Sequence, residues 1–339
     1  MTSPMYDARG RRLRDLRVSV TDRCNFRCRY CMPRESFGRG HRFATQHDLL
    51  AFEEITEIVS AFLVLGIEKV RLTGGEPLLR NGIVDLVTDL RRAAPDVDLA
   101  MTTNGVLLSQ YAVDLRAAGL DRLTISLDSL DELTFRAMTD SRFHVADVLA
   151  GIEAADRAGF AGIKINVVVQ FGVNDHLIAE LAQYFRGTGH IIRFIEYMDV
   201  GTTNRWDRGQ VVDANWIVAR INRETPLEAI APSYDGEVSR RYRYHDGSGE
   251  IGVIASVTEP FCGSCTRARL SATGQLHTCL FSTAGLDLRS IVRGQRSDDD
   301  LQQAIRTRWA QRSDRYSELR SAGGDNSPHK KIEMSFIGG

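Results

Sequence analysis

Along roughly the first 200 residues, short apolar runs alternate with helix-length segments. Residues 16–20, 69–72, 97–102, 122–127, 163–169 and 191–197 read as strands, and 46–65, 83–92, 107–118, 145–158 and 177–185 carry apolar positions at helical spacing. Strands alternating with helices predict a parallel sheet or a (βα) barrel. The right-handed preference of such crossovers leaves few topologies open. From about residue 215 the pattern changes: 239–244 with 250–257, and 267–271 with 275–280, read as hairpins around Gly-containing turns. The expected architecture is therefore α/β, a partial (βα)6 TIM-type barrel over residues 1–230 and a smaller β-containing C-terminal region over 231–339.

Each strand also alternates within itself, which separates two faces. One face carries Val18, Val20, Val70, Leu72, Leu99, Met101, Ile125, Leu127, Ile163, Ile165, Val167, Ile192 and Phe194, a set suited to packing under helices. The other carries Arg17, Ser19, Lys69, Arg71, Thr102, Thr124, Ser126, Lys164, Asn166 and Arg193. An ordinary eight-stranded barrel fills its lumen with branched aliphatics. A polar, basic inner face instead implies a wet lumen that holds an anion. An open sheet with one solvated face gives the same alternation, although βα connections usually cover both faces.

Composition narrows the partners. The 339 residues carry 43 Lys and Arg against 44 Asp and Glu, a formal charge of -1, so no global field recruits nucleic acid or an anionic membrane. No apolar run approaches the roughly 20 residues that span a bilayer, and Met1-Thr2-Ser3-Pro4 opens without an apolar leader. The expectation is a soluble, cytoplasmic protein. The six cysteines fall in two distant groups, at 24, 28 and 31 and at 262, 265 and 279, which in a reducing compartment favours metal ligation over disulfides.

The first group, Cys24-Asn25-Phe26-Arg27-Cys28-Arg29-Tyr30-Cys31, is a C-x-x-x-C-x-x-C loop directly after a strand. Three ligands leave one iron of a [4Fe-4S] cluster open, whereas a closed zinc site or a plain electron carrier takes four. A zinc loop completed by a distant His, or three unrelated buried thiols, are the alternatives. In Cys262-Gly263-Ser264-Cys265 with Cys279, the nearby His277 keeps zinc in contention beside iron-sulfur. Arg267 and Arg269, two apart on a strand beside that group, suit a phosphorylated substrate, because guanidinium groups grip phosphate through two hydrogen bonds. Thr73-Gly74-Gly75-Glu76-Pro77, Ser126 and Met198 all fall at strand ends, where ligands of parallel αβ proteins bind.

The first loop resembles the signature of the radical S-adenosylmethionine (SAM) superfamily. Together with Thr73 to Pro77, Ile163-Lys164-Ile165-Asn166, Gly172-Val173-Asn174-Asp175, Arg193-Phe194-Ile195-Glu196-Tyr197-Met198, the segment 261–270 and the terminal Ile337-Gly338-Gly339, it is similar to the GTP 3′,8-cyclases of molybdenum-cofactor biosynthesis. The resemblance implies two 4Fe-4S clusters, one on Cys24, Cys28 and Cys31, the other on Cys262, Cys265 and Cys279. It implies SAM held by Tyr30, Gly74, Gly75, Glu76, Ser126 and Met198, and GTP held by Arg17, Lys69, Arg71, Thr102, Lys164, Arg193, Arg267, Ala268 and Arg269. Arg17, Arg267 and Arg269 would join the first three cysteines in catalysis. The implied reaction is lyase chemistry: a 5′-deoxyadenosyl radical takes the C3′ hydrogen of GTP, and the product is (8S)-3′,8-cyclo-7,8-dihydroguanosine 5′-triphosphate. An electron donor of flavodoxin or ferredoxin type and, next in the pathway, cyclic pyranopterin monophosphate synthase are the implied partners. A homodimer is left open. A peptide-modifying radical SAM enzyme with an auxiliary cluster and a non-catalytic iron-sulfur carrier are the rival readings; the Arg267 and Arg269 pair weighs against the first, and three ligands per cluster against the second.

Overall fold

The computed structural model describes residues 4–294, 297–321 and 331–338. Twelve strands form one sheet: β1 (Asp15–Ser19), β2 (Lys69–Thr73), β3 (Asp98–Thr103), β4 (Arg122–Ser126), β5 (Lys164–Val169), β6 (Ile191–Glu196), β7 (Leu227–Ile230), β8 (Arg240–Tyr244), β9 (Glu250–Ile254), β10 (Arg267–Leu270), β11 (Gln275–His277) and β12 (Leu286–Asp287). The first six lie side by side in chain order, every neighbour parallel. Helices Phe52–Val64, Ile83–Ala93, Leu108–Ala117, Val145–Arg157 and Ile178–Phe185 make the crossovers.

The alternation read from the sequence is the alternation of burial. In β5, Ile165, Val167 and Val169 are fully buried while Lys164, Asn166 and Val168 are half-buried on the inner face. Side chains such as Val18, Leu72, Leu99, Ile125 and Phe194 sit in one continuous core under the helices. Each contributes about 1.5–3 kcal/mol through removal from water. Glu196 also falls on this buried face, and its carboxylate accepts from the backbone N–H groups of Ala214, Val257 and Thr258 at 2.7–2.9 Å. It fastens the end of β6 to the chain that returns from β9.

Two expectations change. The helix predicted from residue 46 begins at Phe52, because Asp48 turns back to accept from the Thr45 N–H and the Leu50 N–H bonds to the Ala272 carbonyl, which holds the first residues in turns. The two C-terminal hairpins form, as β8 with β9 and β10 with β11, but each also lends a strand to the barrel. β10 runs parallel beside β1 and β9 parallel beside β6. A six-stranded parallel sheet has two raw edges; these strands cover both, so eight parallel strands surround the lumen.

Candidate active site

The first cysteine loop lies over the ends of β1 and β2 and is tied down by backbone. The Gly75 N–H donates to the Thr21 carbonyl and the Glu76 N–H to the Arg23 carbonyl, both at 2.8 Å. A Cβ on Gly75 would stand 2.2 Å from the Arg23 oxygen, so the double glycine exists first to let the two loops touch. The Arg27 guanidinium gathers the carbonyls of Cys24, Phe26 and Phe37 at 2.7–2.9 Å. Burial raises the thiol pKa values of Cys24 (to about 12), Cys28 and Cys31, in Cys24 with help from the Glu76 charge. Their surroundings supply too little positive charge to hold three thiolates, and bound iron would supply it.

The residues expected to hold SAM line one cavity together with this loop; it has a volume of about 320 Å³ and is lined by Cys24, Cys28, Cys31, Tyr30, Gly74, Gly75, Glu76, Ser126 and Met198. Glu76 is fully buried and already accepts from Thr103 Oγ1 and the Asn104 N–H at 2.7 Å and from the Leu78 N–H at 3.1 Å. A carboxylate has about four acceptor positions, so it braces this turn and has one left for a ligand. Burial pushes its pKa up to about 7. The Tyr30 hydroxyl donates to Asp128 Oδ2 at 2.7 Å, and Asp128 Oδ1 accepts from the Val168 N–H at 2.8 Å. Asp128 was not singled out from sequence, yet it fixes the ring of Tyr30; burial holds its pKa at about 6.

Cys262, Cys265 and Cys279 line the same cavity. Cys265 differs from the first three. Its burial raises the pKa, but Arg267 and Arg312 overcome this and bring it down to about 6. Cys279 is raised to about 11, chiefly by burial. Among the described residues no three His, Cys, Asp or Glu side chains are grouped so as to hold a metal ion. A zinc site places each sulfur about 2.3 Å from one centre, whereas a 4Fe-4S cubane gives each cysteine its own iron. His277, the proposed fourth zinc ligand, is buried apart from the cavity lining, and its ring nitrogens have no hydrogen-bond partner among the described residues.

The basic face of the lumen is more concentrated than the sequence indicated. In the sheet register Arg269, Arg17 and Arg71 occupy one level on the adjacent strands β10, β1 and β2. Like charges directly across a ladder destabilise it, and the Arg17 pKa falls well below its usual value, first through burial and then through Arg269, Arg267 and Arg71. Arg71 donates to Thr102 Oγ1 at 3.0 Å and to Thr124 Oγ1 at 2.9 Å; Arg193 donates to Asn166 Oδ1 at 2.7–3.0 Å. Arg17, Arg71, Thr102, Arg193, Arg267 and Arg269 all line the cavity. Lys164 lines a second cavity of about 510 Å³, toward the starts of β4, β5 and β6, which shares Arg71, Thr124 and Arg193 with the first. Two expected contacts stand apart. Lys69 lines neither cavity and pairs with Asp98 at 2.6 Å, and Ala268 turns into the core because strand alternation points it away from Arg267 and Arg269.

The C-terminal segment closes one side. Met334 lines the first cavity, Gly338 offers its carbonyl to the Arg269 guanidinium, and a Cβ on Gly338 would meet the Thr73 side chain at 2.3 Å. Gly339 lies outside the described residues. Lys331 donates to Asp199 Oδ2 at 2.7 Å, and Glu333 accepts from Thr202 and Thr203 at 2.8–3.0 Å.

Residues 18–185 match the Radical SAM superfamily and residues 190–318 match Molybdenum Cofactor Synthesis C. A GTP 3′,8-cyclase of Acidothermus cellulolyticus is 53% identical, with all of both chains covered, and one of Xanthomonas axonopodis pv. citri is 48% identical, again over all of both chains. Among solved structures, Streptococcus suis SuiB superposes with a TM-score of 0.61 at 13% identity over 93% of this chain and 69% of that one, a likeness of fold. The chain belongs to the GTP 3′,8-cyclase family of radical SAM proteins.

Proposed function

We propose that this protein cyclises GTP to (8S)-3′,8-cyclo-7,8-dihydroguanosine 5′-triphosphate. The observation that carries the reading is the row Arg269, Arg17 and Arg71, whose mutual repulsion in a secluded lumen is relieved by a polyanion. Two three-cysteine sets on the same cavity fit two 4Fe-4S clusters, each with an open iron. When bound and reduced, the cluster on Cys24, Cys28 and Cys31 supplies with SAM the 5′-deoxyadenosyl radical that removes the C3′ hydrogen of GTP.

The protein's own contribution is orientation and exclusion. Tyr30, steadied by Asp128, and the strand-end residues Gly75, Ser126 and Met198 form the SAM side. Arg71 and Arg193, held by Thr102, Thr124 and Asn166, present fixed guanidinium groups to the triphosphate, and Lys164 extends that field toward the second cavity. Arg267, which donates to Cys265 Sγ, and Arg269 would hold the nucleotide beside the second cysteine set. Phe26, Phe135, Val168, Ile195 and Met334 wall the cavity with groups that keep water from a carbon radical.

An electron donor of flavodoxin or ferredoxin type feeds the first cluster, and the cyclised nucleotide passes to cyclic pyranopterin monophosphate synthase in the cytoplasm. No helix among the described residues is long and apolar enough to cross a membrane. GTP deuterated at C3′ tests the reaction: deuterium appears in 5′-deoxyadenosine if C3′ is the site of attack, and its retention in the nucleotide while SAM is cleaved would sink the assignment.

A further inference from the structure

Arg312 reaches Cys265 of the second cysteine set from a different part of the chain than Arg267, and both line the first cavity. Arg312 follows helix Asp298–Ala310, is 4% exposed, and belongs to no motif read from the sequence. One guanidinium nitrogen donates to the Cys265 carbonyl at 2.7 Å and another to Cys265 Sγ at 3.1 Å. Around the rest of the group, the Trp309 ring lies 4.5 Å from its centre, Asp7 Oδ2 3.5 Å from one nitrogen and Asp314 Oδ2 3.6 Å from another. Asp7 also holds Arg11 at 2.6 Å, and Arg11 donates to the Cys262 carbonyl at 2.9 Å. The N-terminal residues and the end of that helix thus form one buried ionic framework beneath the second ligand loop.

Arg267 donates to the same Cys265 sulfur at 3.3 Å. The two arginines differ in their anchoring. Arg312 is tied to Asp7 and Trp309 as well as to Cys265, whereas Arg267 comes from strand β10 among the arginines expected to hold GTP.

We propose that Arg312 is a positioning residue for the second cluster, raising its reduction potential by holding a buried positive charge and an N–H donor against Cys265 Sγ. The inference rests on the two-cluster reading. A reduced cluster carries one more negative charge, so a fixed cation and a sulfur hydrogen bond stabilise it over the oxidised form. With the pair Arg312 and Arg267 donating to one sulfur, the second cluster carries two guanidinium donors on a single ligand, which favours its reduced form.

The test uses the full-length chain carrying Cys24→Ala, Cys28→Ala and Cys31→Ala, reconstituted with iron and sulfide, so that only the second cluster is observed. Its midpoint potential is followed by electron paramagnetic resonance in a redox titration, for Arg312 and for Arg312→Lys and Arg312→Gln. The reduction equilibrium is expected to fall at least tenfold in Arg312→Gln, which for one electron is about 59 mV. Arg312→Lys, which keeps the charge and loses the fork, falls between. Equal midpoints in iron-replete variants overturn the proposal. Should Arg312→Gln not take up iron, the comparison with Arg312→Lys decides alone. Absence of iron from the parent chain would instead contradict the two-cluster reading.

Discussion

Arg17→Met separates the cost of the basic lumen from its use. Arg17 lies at one level with Arg269 and Arg71, with Asp15 as its opposing charge. At the strand spacing of about 4.8 Å and an effective dielectric constant of about 20, two unit charges repel by about 3.5 kcal/mol, an upper bound because the side chains splay apart. Replacing a buried charge by an apolar group of similar volume is often neutral or stabilising, by about 1–4 kcal/mol in favourable cases. The nucleotide-free Met variant is therefore expected to unfold at the same or a higher temperature. A hydrogen bond to a charged group is worth about 1.5–3 kcal/mol, so loss of one phosphate contact should weaken GTP binding about 10- to 150-fold. Anaerobic calorimetry with GTP, without SAM or reductant, measures the binding, and thermal unfolding of the same samples measures the stability. A variant that is clearly less stable without nucleotide, or that binds GTP within twofold of the parent, refutes the account of this row.

Burial, reinforced by Arg193, Lys69 and Arg71, lowers the Lys164 pKa from 10.5 to about 7. Its charged form is disfavoured in the fold, so Lys164 opposes folding below about pH 7 and this contribution fades as pH rises toward its ordinary value. A triphosphate favours the charged form, so GTP binding should take up a proton above about pH 7 and weaken toward pH 8; calorimetry in buffers of different ionisation enthalpy reads that proton, and Lys164→Arg should abolish it. Gly75→Ala drives a methyl group to 2.2 Å from the Arg23 carbonyl oxygen, and iron analysis should find the first cluster lost with the second retained. Cys279→Ala should do the converse: SAM is still cleaved slowly, but mass spectrometry finds no cyclised nucleotide. Full cyclisation by that variant would remove the second cluster from the mechanism.

The barrel was legible because its strands alternate so cleanly that the sequence alone places Arg17, Arg71 and Arg193 on the inner face. The edges were not. That β9 runs beside β6 and β10 beside β1 is a choice of partner made across 50 to 250 residues, and local pattern carries no record of it. Separations of 27 to 98 residues likewise hid the bonds by which Asp128 fixes Tyr30, Asn166 holds Arg193 and Arg312 reaches Cys265. Ala268 is the instructive miss. It sits between the two arginines in the resemblance, although the alternation that puts them in the lumen sends it to the core.

Anaerobic turnover tests the central claim most directly. Iron-reconstituted protein is incubated with SAM and dithionite, with and without GTP, and 5′-deoxyadenosine and nucleotide are followed by mass. The account predicts 5′-deoxyadenosine that rises with GTP, together with a nucleotide product that carries a new bond between C3′ and C8. SAM cleavage at the same rate without GTP, with the nucleotide recovered unchanged, would contradict it.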